Sequence, residues 1–212
     1  MALSARLYVC VLALAASIGA HAQTSIRTET IKPAAGAPAQ QSAQAPGKPD
    51  AHLPALTTAP EISTDLSRLP PAVARAREQI LAAARTGDLD KVAAVMRAGA
   101  AMPIFSFTDE KDPVAFWKAN YPDSEGVEVL SILVTILETG FARLDAGTAQ
   151  EIYVWPYFVG LPLKTLSAPQ KVELFRILTG ADYKDMRDFG AYAFYRLGIT
   201  PDGTWHFFVA GD

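Results

Sequence analysis

The sequence predicts an α+β domain in which several helices pack on a small antiparallel sheet that includes a C-terminal β-hairpin. Two observations support this class. Apolar residues recur at helical spacing in several segments between residues 71 and 189, and capping residues stand at the ends of these segments. The end of the chain instead holds two β-rich runs separated by Pro201-Asp202-Gly203, which is typical of a hairpin turn.

The first 22 residues have the pattern of a secretory signal peptide. Arg6 precedes an apolar run from Leu7 to Ile18, and Ala20-His21-Ala22 forms an A-x-A cleavage site. A transmembrane anchor needs about 20 apolar residues, and this run is shorter. We therefore expect a periplasmic or secreted protein that begins at Gln23 and has no membrane span after cleavage.

Residues 23–68 differ in composition from the rest of the chain. They are rich in Ala, Pro, Gln, Thr and Ser, and such a segment has too little apolar surface to offset the entropy lost on ordering. We expect a disordered tether here. Residues 69–212 are expected to form a single globular domain, because their number suits one hydrophobic core.

Composition excludes several kinds of chemistry. Cys10 is the only cysteine and lies in the signal peptide, so the mature chain has no thiolate metal site and no disulfide. Of three histidines, only His206 lies in the predicted domain, and we expect neither a metal nor a cofactor. The chain holds 19 basic and 22 acidic residues, for a formal net charge of −3, without a basic cluster. Nucleic acid is therefore not an expected partner.

Four helices are predicted in the first half of the domain. Pro71 starts one that Gly87 stops, and Asp88 caps a second that Gly99 closes. Asp112-Pro113 opens a short third helix. The run from residue 126 to residue 139 is apolar on nearly every side, which indicates a central core helix.

The segments that follow are predicted from turn and capping signals. Residues 104–107 are expected to form a short strand. Ser167 and Gln170 fit a capping box for a helix that Gly180 ends. Asp182 is then expected to cap a further short helix that continues to about residue 189.

Residues 151–158 are predicted to form a β-strand. Pro156 cannot donate to a strand ladder, so this strand either lies at an edge or ends there. Its aromatic row of Tyr153, Trp155 and Tyr157 offers rings that could stack on sugar faces, although such rows usually pack beneath a helix. Trp155 and Tyr157 are therefore candidate ligand contacts.

The terminal hairpin supplies the main candidate site. A simple register pairs Ile199 with Trp205 and Leu197 with Phe207, and it places His206 across from Gly198 on the other face. A glycine opposite a histidine leaves open space above the sheet. A neutral histidine beside a cation there could hold a small anionic ligand or act as a base. The candidate residues on this face are His206, Arg196, Gly198, Phe194 and Phe208. The alternative is that His206 is an ordinary half-buried strand residue.

The runs GITPDGTWHFFVAGD and YVWPYF resemble uncharacterised exported proteins of alphaproteobacteria. This resemblance implies a stand-alone exported domain and assigns no catalytic residue. We expect a non-catalytic binding or interaction domain of the cell envelope, with an envelope protein or a small anionic or glycan ligand as its partner. An alternative is a cell-wall glycan hydrolase with paired carboxylates. The carboxylates available for such a pair are Glu128, Glu138, Glu151, Glu173, Asp185 and Asp188.

Overall fold

The computed structural model describes residues 58–211. The predicted signal peptide and most of the predicted tether lie outside these residues. The described part contains six α-helices and one five-stranded sheet, so the predicted α+β class is confirmed. The helices are α1 (Pro71–Ala84), α2 (Leu89–Ala98), α3 (Pro113–Asn120), α4 (Val127–Leu137), α5 (Ala168–Leu174) and α6 (Gly180–Phe189). The strands are β1 (Glu61–Ser63), β2 (Phe141–Leu144), β3 (Ile152–Trp155), β4 (Arg196–Ile199) and β5 (Trp205–Val209).

The sheet is an antiparallel meander in which the strand order follows the chain, β1-β2-β3-β4-β5. The strand predicted over residues 151–158 is β3, and it ends at Trp155, immediately before Pro156. The alternative expectation of an edge position is wrong, because β3 is the middle strand. Pro156 is tolerated because it falls just outside the ladder.

Two hydrophobic clusters stabilise the described residues. The larger one joins α1, α2, α3 and α4 to one face of the sheet, where Trp155, Leu197 and Phe208 lie in a row across three paired strands. The smaller one is built from residues between β3 and β4, including those of α5 and α6. Its buried members are Tyr157, Phe158, Leu163, Leu166, Leu174, Leu178, Met186 and Tyr192.

The predicted helix starts are confirmed by hydrogen bonds. The side chain of Asp88 accepts from the backbone N–H groups of Asp90 and Lys91, and that of Asp112 accepts from the N–H of Val114. Both caps therefore satisfy donors that a helix N-terminus leaves unpaired. The helix predicted over residues 126–139 is α4, whose buried side chains place it in the centre of the larger cluster.

The capping box at Ser167 and Gln170 is also confirmed. The helix that follows ends earlier than expected, at Leu174, and Gly180 does not close it. Gly180 is instead the first residue of α6, and Thr179 is the N-cap, bonded to Asp182 in a second capping box. Asp182 therefore stands three residues inside the helix instead of capping it.

The folded region begins before Leu69, within the stretch expected to be a tether. Residues 61–63 form β1, which pairs with β2 so that Ile62 faces Ala142. The expectation of a tether up to residue 68 is corrected at this point. The pairing partner lies about eighty positions further along the chain, so local composition carries no sign of this strand.

The hairpin forms, but its register differs from the predicted one. Ile199 pairs with Trp205 as expected, whereas Gly198 pairs with Phe207 and Leu197 with Phe208, because a β-bulge interrupts the ladder. The bulge has a physical reason. Strict alternation would turn Phe208 away from the core, and the one extra residue lets Trp205 and Phe208 both pack in the larger cluster.

The hairpin turn requires glycine at position 203. Gly203 has φ +91°, and its N–H donates to the carbonyl of Thr200 at 2.8 Å. A Cβ at this position would lie 2.9 Å from the carbonyl oxygen of Ala72 in α1. The turn therefore packs directly against the first turn of α1, which fixes the hairpin relative to the helices.

Candidate functional site

The bulge changes the position of His206, the central residue of the predicted site. Its side chain is exposed, and it is not paired with Gly198. The backbone carbonyl of His206 faces the outer edge of β5, where it accepts a hydrogen bond from the N–H of Ile104 at 3.0 Å. The prediction that His206 lies above Gly198 is therefore wrong.

The open space predicted above Gly198 is filled. A Cβ on Gly198 would lie 2.5 Å from Cε1 of Phe207 and 2.8 Å from Cδ1 of Ile152. The Phe207 ring thus occupies the volume that the sequence analysis assigned to a ligand. Gly198 serves close packing of this ring on the sheet.

The other residues of the predicted hairpin site are buried or partly buried. Arg196 is buried and pairs with Val209 in the strand ladder. Phe208 is fully buried, with its ring centroid 4.9 Å from that of Tyr195. Phe194 is partly buried and makes an edge contact with Tyr195. These residues contribute to packing, so the predicted grouping around His206 is corrected.

The aromatic row is also part of the packing. Trp155 is completely buried, and Tyr157 is only 2% exposed. The Tyr157 hydroxyl donates to Oε2 of Glu173 at 2.7 Å, and burial, together with this contact, raises the pKa of Tyr157. Trp155 and Tyr157 therefore offer no ring face to a sugar, which corrects their assignment as ligand contacts.

Four of the carboxylates proposed for hydrolysis form hydrogen bonds or ion pairs, each with its own set of partners. Glu151 receives two hydrogen bonds from Arg143, at 3.0 and 2.8 Å, and one from the N–H of Gly147. The Arg143 contact is the main cause that lowers the pKa of Glu151 to about 2. The remaining contacts are Glu138 with Arg85 and Arg176, Glu173 with Tyr157, and Asp188 with Lys184 and Arg187.

A general acid in a glycosidase pair needs a raised pKa. The pKa of Glu151 is lowered instead, and hydrogen bonds also lower the pKa of Asp188. These two groups are therefore poor candidates for the proton donor of such a pair.

A group of exposed apolar side chains lies beside the sheet, in the connection between α2 and α3. Met102, Ile104 and Phe107 expose 38%, 49% and 46% of their area. We call residues 102–107 the loop surface. The sequence predicts a strand here and does not indicate that these side chains are exposed. The signal that could have indicated it is a run of large apolar residues too short to belong to a core element.

The loop surface is fixed to the edge of the sheet by backbone hydrogen bonds. The N–H of Ile104 donates to the carbonyl of His206, and the carbonyl of Ile104 accepts from the N–H of Phe208 at 2.7 Å. This is a single parallel bridge to β5, so the strand expected over residues 104–107 is reduced to one bridged residue.

Phe105 anchors the loop surface from the inside. It is 6% exposed, and its ring centroid lies 5.7 Å from that of Phe116 and 6.4 Å from that of Trp117, both in α3. Aromatic edge contacts of this kind stabilise the position of the ring. Buried Phe105 therefore holds its exposed neighbours in place.

A cleft of about 230 Å³ and an acidic segment adjoin the loop surface. The cleft is lined by residues 102–106 of the loop surface and by Thr108, Glu110 and Lys111. Residues 109–112 contain three acidic side chains and one lysine. Glu110 accepts from the N–H groups of Lys111 and Asp112, which orders the segment beside the apolar residues.

The described residues also include a second cleft and further exposed apolar side chains. A second cleft of about 320 Å³ lies among α2, α3 and α4, but its Asp88 carboxylate already caps α2. Val172 in α5, Phe175 immediately after α5 and Phe189 in α6 are also exposed. Within residues 58–211, no group of three or more His, Cys, Asp or Glu side chains is placed to hold a metal ion. No helix in the same range is long and apolar enough to cross a membrane.

Comparison of the chain with protein-family models, with curated proteins and with solved structures finds no match.

Proposed function

We propose that this is an exported cell-envelope protein whose domain is a non-catalytic interaction module, and that it binds a partner protein through the loop surface. One observation carries the proposal: Met102, Ile104 and Phe107 are large, apolar and exposed on a segment that β5 and α3 hold in place. Exposed apolar groups of this kind mark interaction sites.

The rigidity of the loop surface supports binding. Ordering a mobile loop on association costs free energy, and a segment already fixed avoids part of that cost. Ile104 is fixed by two backbone hydrogen bonds, and Phe105 is buried beside it. The exposed side chains are therefore presented in an arrangement suited to an interface core.

The acidic segment indicates the chemistry of the partner. Asp109, Glu110 and Asp112 lie next to the apolar side chains and outnumber Lys111. Charge complementarity across an interface gives specificity and speeds association. We therefore expect a partner with an apolar contact flanked by basic residues.

Export is the second part of the proposal, and the signal-peptide pattern of residues 1–22 supports it. The partner would then be a protein of the cell envelope.

Site-specific photocrosslinking in the native host tests the interaction. A photoreactive amino acid replaces Thr108, which is exposed beside the loop surface, and in a matched control it replaces Val172, which is 71% exposed on α5. We expect a discrete adduct from position 108 that weakens in the Phe107→Ser variant. Equal adducts from both positions, or none from position 108, would contradict the proposal.

A further inference from the structure

Met102 is the exposed methionine of residues 58–211. That range contains three methionines, and Met102 exposes 38% of its area, whereas Met96 and Met186 expose 1% and 7%. The only cysteine of the chain is Cys10, in the predicted signal peptide, so no thiol of the domain competes for an oxidant. A thioether is oxidised where the oxidant can reach its sulfur, which singles out Met102.

The backbone holds the Met102 side chain on the outside of the loop surface. Burial alternates along residues 102–105, so that Met102 and Ile104 are exposed while Pro103 and Phe105 are buried. The two hydrogen bonds between Ile104 and β5 fix this segment, and Met102 also lines the cleft of about 230 Å³. The thioether therefore lies where a partner bound to the loop surface would contact it.

We propose that Met102 is a reversible oxidation site that controls binding at the loop surface, with hydrogen peroxide as the oxidant. The sulfur gives an electron pair to one peroxide oxygen, an S–O bond forms, the O–O bond breaks, and the second oxygen leaves as water with both protons. The product is methionine sulfoxide, which methionine sulfoxide reductases return to the thioether. This inference rests on the proposed function, because it names the regulation of the same surface.

The chemical change at Met102 weakens binding without unfolding the domain. A thioether is apolar and adapts its shape to a contact, as an interface core requires. A sulfoxide is polar and must lose its water when it is buried against apolar groups, which costs free energy unless a donor replaces that water. Because Met102 is outside both hydrophobic clusters, its oxidation leaves the core packing intact.

Peroxide treatment of the full mature chain tests the site. Peptide mass spectrometry follows the gain of one oxygen at each methionine, and the buried Met96 and Met186 are internal controls. We expect Met102 to be oxidised about tenfold faster than either control. Urea unfolding of the protein oxidised at Met102 should match that of the untreated protein. Equal rates at the three methionines would overturn the inference.

Photocrosslinking from position 108 tests the effect on binding. The oxidised protein is freed of peroxide and mixed with an envelope extract of the host, and each protein is compared with its own untreated sample. We expect the adduct of the parent to fall about tenfold and to return after treatment with methionine sulfoxide reductases for both sulfoxide epimers. The adduct of Met102→Leu should not fall, because leucine has no sulfur to oxidise.

The outcomes separate this inference from the proposed function. An adduct that survives complete oxidation of Met102 keeps the proposed function and overturns the inference. A fall of equal size in the parent and in Met102→Leu, or a loss that the reductases do not reverse, overturns it as well. Absence of the adduct in the untreated parent contradicts the proposed function, and the inference then fails with it.

Discussion

The ring of Phe207 lies directly over Gly198, its partner in the β4–β5 ladder. A Cβ on Gly198 would come within 2.5 Å of Cε1 and 2.6 Å of Cζ of this ring. Carbon atoms cannot approach so closely, so any side chain at position 198 must displace the ring. The relationship explains why the sheet has a glycine in a strand where glycine is otherwise unfavourable.

Gly198→Ala should therefore destabilise the domain by about 1–3 kcal/mol, because the added methyl group overpacks the site. In a Phe207→Ala background the same change should cost much less, since the ring is no longer there. Urea unfolding of the four proteins of this double-mutant cycle measures the coupling. An equal cost in both backgrounds would show that the ring is not the obstacle.

Trp205 and Thr204 provide a contrast in the hairpin. Trp205 is 6% exposed in the larger cluster, and its indole N–H donates to the carbonyl of Phe207 at 3.0 Å. Trp205→Ala should cost about 3–5 kcal/mol through lost burial and the cavity it leaves. Thr204→Ala should cost under about 1 kcal/mol, because that residue is less buried. Similar midpoint shifts in urea for the two variants would argue against the observed register.

Glu151 should make stability depend on pH in the acid range. Its pKa is lowered to about 2, first by the Arg143 hydrogen bonds, and the ordinary value is about 4.3. The stabilisation is therefore complete above about pH 4.3 and is lost as pH falls toward about 2. Glu151→Gln should cost about 1–2 kcal/mol at pH 7, discounted for the partial exposure of Arg143, and should flatten this acid slope. Urea unfolding at a series of pH values measures both effects, and a parallel slope in the variant would contradict the assignment.

Local signals predicted much of the helical part of the fold. Asp88, Asp112 and Ser167 act through backbone groups two or three residues away, so the sequence alone indicates their roles. Gly180 shows the limit of such signals. Glycine closes many helices, but here the adjacent Thr179–Asp182 capping box makes it the first residue of one.

Features that depend on distant residues were not predictable in the same way. β1 needs β2 as its partner, and the bulge at His206 depends on which of Phe207 and Phe208 fills the core beneath the helices. A slip of one residue exchanges the two faces of a strand, which is why the predicted site around His206 was lost. The exposure of the loop surface could not be predicted from the sequence, because it follows from the bridge between Ile104 and β5.

Export predicts a specific N-terminus. Because cleavage after Ala22 follows the A-x-A pattern, the protein isolated from the periplasm of its host should begin at Gln23. N-terminal sequencing measures this directly. A chain that retains Met1 in that fraction would contradict the signal-peptide assignment.

The most direct test of the account is the affinity of the crosslinked partner for variants of the loop surface. We predict that Phe107→Ser and Ile104→Ser each weaken binding tenfold or more, about 1.4 kcal/mol or above. The control is Phe175→Ser, which changes an exposed apolar residue immediately after α5 and outside the loop surface, and it should bind as the parent does. Titration calorimetry on variants of matched stability gives these values. Binding by Phe107→Ser and Ile104→Ser that equals the parent would contradict the claim that the protein acts through this surface.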